Sequence, residues 1–359
     1  MTTASRCCVL IAFKDRRAEL HRCLESLLPQ LSGGAHILLV DDGSERDIAA
    51  LPEFAKFLSH SSVHLVRHPE NLGVSAARNT GINWAADREF DIVIMTDSDC
   101  IVPPDFIEAH LALHRKYPSA PLVGGGIRGT GGTLWAKLDG MMTWFHCFPG
   151  LPERKLMRPY VAPTANLSLK IRMLPFGRRF FEDRLHTGED TAFSRRVLKA
   201  GFEGILAPFP EILHADRERF LAFLRHQYEF GRHHYWIVHS DRGMGELCLQ
   251  PLYRLVTAPL FVLAMPLYAV LGCYLNIRPW LRFDWRNSVY WPLLQCVWLV
   301  KGIAFLESAF FRERAFRLGR RPHDGRTTNR RAAIESALRD PADALLPGKK
   351  APRNDAVSR

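Results

Sequence analysis

No two cysteines of this chain stand in a C-x-x-C pair, although eight are scattered along it: Cys7, Cys8, Cys23, Cys100, Cys147, Cys248, Cys273 and Cys296. That absence argues against a structural metal built on thiolates. Most of the eight lie in apolar runs, where a reduced thiol behaves as a small hydrophobe, so a reducing compartment is expected. Negative charge is also in short supply. Against 48 Lys and Arg there are 37 Asp and Glu, a formal net charge of +11. Such an excess suits an anionic partner. Zinc-finger spacing and RNP-type aromatic patterning are missing, which argues against nucleic acid and leaves phosphates or an acidic membrane face. No secretory leader is expected either: the apolar run 7–13 is short, and Lys14-Asp15-Arg16-Arg17 follows at once.

With 359 residues the chain exceeds one ordinary core, and two regions are expected. Residues 7–13 (CCVLIAF) read as a strand. Asp15 then caps a helix whose apolar positions Leu20, Cys23, Leu24, Leu27 and Leu28 follow a 3.6 period up to Pro29. A second continuous apolar strand, 36–40, runs straight into Asp41-Asp42-Gly43-Ser44. A third strand, 63–67, precedes the loop His68-Pro-Glu-Asn-Leu-Gly73 and a helix through Ala85. A fourth, 91–96, delivers Asp97 and Asp99, and Pro103-Pro104 opens another helix. Strands that do not alternate, separated by helices, predict an α/β fold with a mostly parallel sheet covered on both faces. Gly124-Gly125-Gly126 and Gly129 read either as a turn or as a close approach to phosphates. Helices are expected over 191–201, stopped by Gly201, and over 216–238.

Beyond residue 250 the character changes. Leu255 to Leu275 carries no charge and is long enough to cross a bilayer despite Pro259 and Pro266. A second run, 289–311, is interrupted by Lys301 and Glu307, and a mid-span Lys costs about 2.5–3.5 kcal/mol. Two full spans would turn the link 276–288, with Arg278, Arg282 and Arg286 against Asp284, outward, whereas a shallow re-entrant or interfacial hairpin would set these arginines at anionic headgroups; membrane association is expected, with both geometries open. The alternative is a buried hairpin in a soluble protein. The chain thus divides into 1–240, a hydrophobic hairpin at 250–312, and an Arg-rich tail at 313–359 expected to be disordered.

Asp97 and Asp99, one residue apart at the end of a buried strand, are the sharpest chemical signal. Parallel sheets bind ligands beyond the carboxyl ends of their strands, and carboxylates there can share a hard divalent cation with phosphates. Asp41-Asp42 ends the neighbouring strand. Either a carboxylate there accepts from a nucleoside, or Asp42 and Ser44 bond the local backbone in an Asx-turn. Arg78, near a helix start, either engages a diphosphate or braces the acids. Asp190 in Gly188-Glu189-Asp190 is either a helix N-cap or the base that deprotonates an acceptor hydroxyl. His214 either completes a hard-metal site or is structural.

In order, I-A-F-K-D, V-D-D-G-S, N-L-G-V-S-A-A-R-N, T-D-S-D and G-E-D resemble the family-2 glycosyltransferases, which carry a GT-A nucleotide-sugar-binding domain; the likeness covers residues 7–235. It implies a Rossmann-like GT-A sheet, inversion at the anomeric carbon, and Mg²⁺ or Mn²⁺ as cofactor. By the resemblance, Ala12, Phe13 and Asp15 line the nucleotide pocket, Asp42 reads a uracil-type base and Asp41 supports it. Arg78 sits near base and phosphates, Asp97 contacts ribose and metal, and Asp99 holds the cation with His214. Asp190 is the base, Glu189 positions the acceptor, and Asn166 belongs to the acceptor-side strand. Two departures stand out: Ala12 replaces a proline in the first turn, and the Q-x-x-R-W element of processive synthases is absent, which favours one transfer per encounter.

The partners implied are a UDP-linked sugar donor, a lipid-linked or cell-surface glycan acceptor, and a membrane, with no nucleic acid. Nucleotide sugars are made in the cytoplasm, so the catalytic region is expected on the cytoplasmic membrane face. Two other classes compete. A sugar nucleotidyltransferase needs a glycine-rich loop after the first strand, which Phe13-Lys-Asp-Arg-Arg17 is not. A non-catalytic carbohydrate- or lipid-binding protein has no need of Asp190 and both D-x-D acids together.

Overall fold

The computed structural model describes residues 6–31, 33–148, 150–158, 160–183, 185, 187–241 and 247–311. The tail expected at 313–359 lies outside the described residues. In chain order the elements are β1 (Cys7–Phe13), α1 (Arg17–Leu27), β2 (Ala35–Asp41), α2 (Ala55–Leu58), β3 (Val63–Arg67), α3 (Val74–Asp87), β4 (Ile92–Thr96) and β5 (Cys100–Ile101). There follow α4 (Phe106–Lys116), β6 (Leu122–Thr130), α5 (Leu134–Thr143), β7 (Arg154–Lys155), β8 (Asn166–Lys170) and α6 (Glu189–Lys199). The last four are β9 (Gly204–Ala215), α7 (Phe220–Asp241), α8 (Pro251–Phe283) and α9 (Trp291–Phe310).

All nine strands of the described residues join one sheet in the order β3-β2-β1-β4-β8-β6-β9-β5, with β7 also on β9. The first four are parallel, as the unalternated strands required, with crossovers through α1, α2 and α3. From β8 onward the sheet is mixed: β8 is antiparallel to β4 and β6, β9 is parallel to β6, and β5 and β7 are antiparallel to β9. Successive residues of β1 point to opposite faces, and both faces are apolar. Val9 and Ile11 meet Leu20, Leu24 and Leu27 of α1 on one side. Cys8 and Leu10 meet Ala77, Ile82 and Trp84 of α3 on the other.

Two local expectations change. Asp15 does not cap α1: the N-cap is Arg16, without a side-chain hydrogen bond, and Asp15 Oδ1 accepts instead from the Glu45 amide at 2.7 Å. The glycine run is strand, not turn. Gly124 to Gly126 lies within β6, with a register shift against β9 there. A Cβ at Gly125 would stand 2.3 Å from Asn166 Nδ2, so glycine is what lets that amide cross the strand.

The C-terminal helices form a hairpin joined by a 3₁₀ turn over Trp285–Tyr290, and both are long and apolar enough to cross a membrane. The hairpin is not free-standing. Asn276, in the middle of its sequence, donates to Met142 O of α5 at 2.9 Å and accepts from Trp298 Nε1 at 2.9 Å. Leu138 and Met141 of α5 share a core with Ala269, Cys273 and Ile277 of α8. The charges that interrupt α9 turn toward the protein. Glu307 accepts from the Tyr228 hydroxyl, and Lys301 Nζ lies 4.6 Å from the Trp298 ring centre and 5.3 Å from that of Phe230.

Candidate active site

A cleft of about 470 Å³ opens at the carboxyl ends of β1, β2 and β4, within the size range of small-molecule sites. Ala12, Phe13, Asp42, Arg78, Asp97, Asp99, Glu189, Asp190 and His214 all line it. Acids brought from three distant stretches of sequence therefore face one space.

At the β2 end the two neighbouring aspartates divide the work. Asp41 is fully buried, and its Oδ1 accepts from the Ser44 amide at 2.8 Å, so it is Asp41 that closes the Asx-turn. Asp42 reaches the cleft wall. Its Oδ1 accepts from His68 Nδ1 at 2.8 Å and from the Leu72 amide at 2.9 Å; its Oδ2 accepts from the Gly73 amide at 2.8 Å. These bonds fix the loop 68–73 as the rim of the cleft, and Asn71 and Gly73 line it beside Asp42.

The D-x-D acids meet His214 of β9. Asp99 Oδ1 lies 3.5 Å from His214 Nε2, while His214 Nδ1 donates to Asp216 Oδ1 at 3.0 Å. That outer carboxylate, also held by Trp144 Nε1 at 2.9 Å, aims Nε2 toward Asp99. A Cβ at Gly129 would stand 1.6 Å from Asp216 Oδ2, so only glycine there admits this carboxylate. One ligand atom each from Asp99, Cys100 and His214 falls within a 4.8 Å span. Burial and the nearby carboxylates push the Cys100 thiol well up, which keeps it protonated and leaves an oxygen and an imidazole nitrogen as donors. Such a pair fits Mg²⁺ or Mn²⁺, with phosphate oxygens free to complete the shell. Burial works against charge on both partners, yet Asp216 and Asp99 raise His214, and His214 and Arg16 lower Asp99. Arg16 also bonds Asp99 Oδ2 directly, standing where a cation would.

Arg78 braces the acids. Its guanidinium donates to Glu189 Oε1 at 2.5 Å and to Asp97 Oδ1 at 2.9 Å. Asp190, in the first turn of α6 and not its N-cap, accepts from the Thr191 amide at 2.6 Å. Burial, then the neighbouring Glu189, raises the Asp190 carboxyl to about 7, with Arg78 opposing. A carboxylate poised near neutrality is suited to taking a proton and passing it on.

Two expected lining residues stand elsewhere. Asn166 is fully buried behind the wall: its Nδ2 donates to Gly126 O and Pro210 O, both at 2.8 Å, and His110 Nε2 lies 2.8 Å from its Oδ1. Its backbone neighbours Thr164 and Ala165 line the cleft in its place. Asp15 points outward to Lys14 and the Glu45 amide, while Lys14 and Arg16 line the cleft. Sequence reasoning also missed Arg217, His226, Glu229 and Phe230, which form the far wall. Asp139, 1% exposed, ties that wall together: it accepts from Arg217 Nη1 and His226 Nδ1 at 3.1 Å and from Gln227 Nε2 at 3.0 Å. Burial pushes His226 down to about 4, so it is neutral, and with Nδ1–H given to Asp139 its Nε2 is an acceptor.

Residues 8–186 match the sequence model of Glycosyl transferase family 2. A Bacillus subtilis (strain 168) protein named as a glycosyltransferase, EpsH, is 38% identical over 106 residues, 29% of this chain and 28% of that protein. The pre-mycofactocin glycosyltransferase of Mycobacterium tuberculosis (strain ATCC 25618 / H37Rv) is 26% identical over 230 residues, 62% of this chain and 45% of that protein. The chain therefore spans less than half the length of these curated relatives. Among solved structures, the mannosyltransferase PcManGT from Pyrobaculum calidifontis, in complex with GDP-Man and Mn²⁺, superposes with a TM-score of 0.51 at 16% identity; 86% of this chain and 88% of that chain are covered.

Proposed function

We propose that this chain, which belongs to glycosyl transferase family 2 and has the GT-A fold, transfers a sugar from a nucleoside-diphosphate donor to an acceptor hydroxyl with inversion. The observation that carries the reading is the opening of Asp42, Asp99 and Asp190 onto one cleft. Ala12, Phe13 and Asp42 take the nucleoside, a uridine in our reading, and Asp97 takes its ribose. Asp99 and His214 would hold a divalent cation, which supplies Lewis-acid stabilisation of charge on the leaving diphosphate. Asp190 accepts the proton of the acceptor hydroxyl as that oxygen bonds the anomeric carbon. The bond from that carbon to phosphate oxygen breaks, and its electron pair leaves with the diphosphate. A single base opposite the leaving group gives in-line attack, hence inversion. Arg78 holds Glu189 and Asp97 in place around the reacting centre.

The acceptor in this reading is a lipid-linked or cell-surface glycan, and the work is done at the cytoplasmic membrane face. Support comes from the row Leu252, Leu255, Val256, Leu260, Leu263 and Leu267, an exposed apolar stripe at helical spacing on α8. Leu138 and Met141 of α5 pack against α8, which ties the hairpin to the rest of the protein. The test is a thermal-shift panel of UDP-, GDP- and dTDP-sugars with and without Mn²⁺, followed by product analysis. A cation-dependent rise in Tm with one donor, and release of its nucleoside diphosphate, is expected. A flat response to the whole panel would overturn the reading.

A further inference from the structure

We infer that the face of α7 bearing His226, Glu229 and Phe230 is a sugar-binding subsite that seats the acceptor as a saccharide, an inference that rests on the transfer reaction proposed above. The three residues are spaced i, i+3 and i+4, so they share one helix face, and all three line the cleft. They lie past residue 186, outside the stretch matched to the family model. Sheet order sets the face apart from the nucleoside end. Asp42 follows β2 and α7 follows β9, on opposite sides of the β4 acids.

Among the described residues nothing bonds the Glu229 carboxylate: the helix bond at this position uses its backbone oxygen, which accepts from His233 Nδ1 at 3.0 Å. Beside it, His226 Nε2 is an acceptor because Nδ1–H is given to Asp139. The face itself therefore presents hydrogen-bond acceptors, with Arg217, Arg225 and Arg232 near enough to act on the Glu229 carboxylate by charge. Phe230 packs 4.7 Å from the His226 ring and adds an apolar surface. A sugar ring matches this set, with hydroxyl donors around its edge and apolar C–H groups on its face. A phosphate does not. It brings few donors at neutral pH to satisfy the Glu229 carboxylate and His226 Nε2. Of the cations that line the cleft, Lys14 is paired with Asp15, Arg78 with Glu189 and Arg217 with Asp139, while Arg16 sits on Asp99 at the cation end. A lipid-linked acceptor would thus place its first sugar, not its phosphate, against α7.

The experiment uses the full chain in detergent with UDP or GDP and Mn²⁺ present. Ligand-observed saturation-transfer NMR is run with the methyl glycosides of glucose, galactose, mannose and N-acetylglucosamine, and with farnesyl phosphate. Saturation transfer to at least one glycoside is expected, with affinity weakened about tenfold in Glu229→Gln and in Phe230→Ala. The nucleotide–Mn²⁺ thermal shift is measured in each variant to show that the fold is intact. The inference is overturned if no glycoside binds, if both variants bind glycosides like the parent, or if farnesyl phosphate binds and Glu229→Gln strengthens it. Failure of the proposed function reads out separately, as no nucleotide–Mn²⁺ shift in the parent protein, because glycoside binding needs no turnover.

Discussion

Arg78 and Glu189 form a buried ion pair, Nη1 to Oε1 at 2.5 Å, between helices 111 residues apart in sequence. The pair joins the start of α3, beside the loop held by Asp42, to the α6 turn that carries Asp190. It also sets charge beside that residue: Glu189 raises the Asp190 carboxyl and Arg78 lowers it. Replacing Arg78 by Gln leaves Glu189 and Asp97 uncompensated, and breaking a buried pair in this way costs about 3–5 kcal/mol. Tm is expected to fall accordingly. The acid limb of the pH–rate profile should also move to higher pH, because the group opposing protonation of Asp190 is gone. Arg78→Lys keeps the charge and separates the two effects; a profile unmoved in Arg78→Gln would remove Arg78 from this role.

Asp190→Asn tests the base. Nucleotide-sugar binding, read as a thermal shift, is expected to persist while transfer falls about 10²–10⁴-fold. In the parent enzyme the rate should rise with pH through about 7, as the carboxyl loses its proton. Stability runs the opposite way. The folded-state pKa lies above the ordinary aspartate value of 3.8, so between those values the folded chain holds more protons than the unfolded one, and this group's contribution to stability falls as pH rises. Asp190→Asn should therefore match the parent near pH 4 and exceed its Tm by a growing margin up to pH 7. An equal Tm at pH 8 would show that the site is not desolvated.

Asp216 reaches the proposed cation only through His214, whose Nδ1 it accepts at 3.0 Å. Asp216→Asn keeps the shape but weakens the hold on the imidazole. Mn²⁺ affinity, measured by calorimetry with the nucleoside diphosphate present, is expected to drop about 10–100-fold. Nucleotide affinity without metal should stay constant. A variant that binds Mn²⁺ as the parent does would leave His214 outside the coordination shell.

Much of this arrangement is legible in the chain itself. Continuous apolar strands that end in Asp41-Asp42 and in Asp97-x-Asp99 indicate a parallel sheet with acids at its carboxyl edge, and periodic Leu20, Leu24 and Leu27 indicate the covering helix. The illegible parts share a cause: their meaning depends on partners far away in sequence. Gly125 reads as a turn residue until Asn166, 41 positions on, needs its missing side chain. Asp139 sits in a Gly- and Trp-rich stretch of weak periodicity, and only the fold brings Arg217 and His226 to it. Asp15 has the right type for a helix cap, but Glu45 of the neighbouring loop offers the better donor. Lys301 and Glu307 look like interruptions of an apolar run, whereas the helix turns both toward α7.

The exposed stripe on α8 makes membrane attachment testable apart from catalysis. Leu263 is 79% exposed and Leu267 64% exposed, one helical turn apart, and neither touches the cleft. Burying a leucine in an apolar phase is worth about 1.5–3 kcal/mol, and a carboxylate in its place adds a desolvation cost. Leu263→Asp combined with Leu267→Asp is therefore expected to shift the protein from the pellet to the supernatant in vesicle sedimentation. Anionic vesicles should retain it better than neutral ones, since the chain carries a net charge of +11. Tm and the nucleotide–Mn²⁺ thermal shift should not change, because neither leucine belongs to the cores that α8 shares with α5 and α7. Release of the parent protein by salt alone would show that charge, not this apolar stripe, holds it to the bilayer.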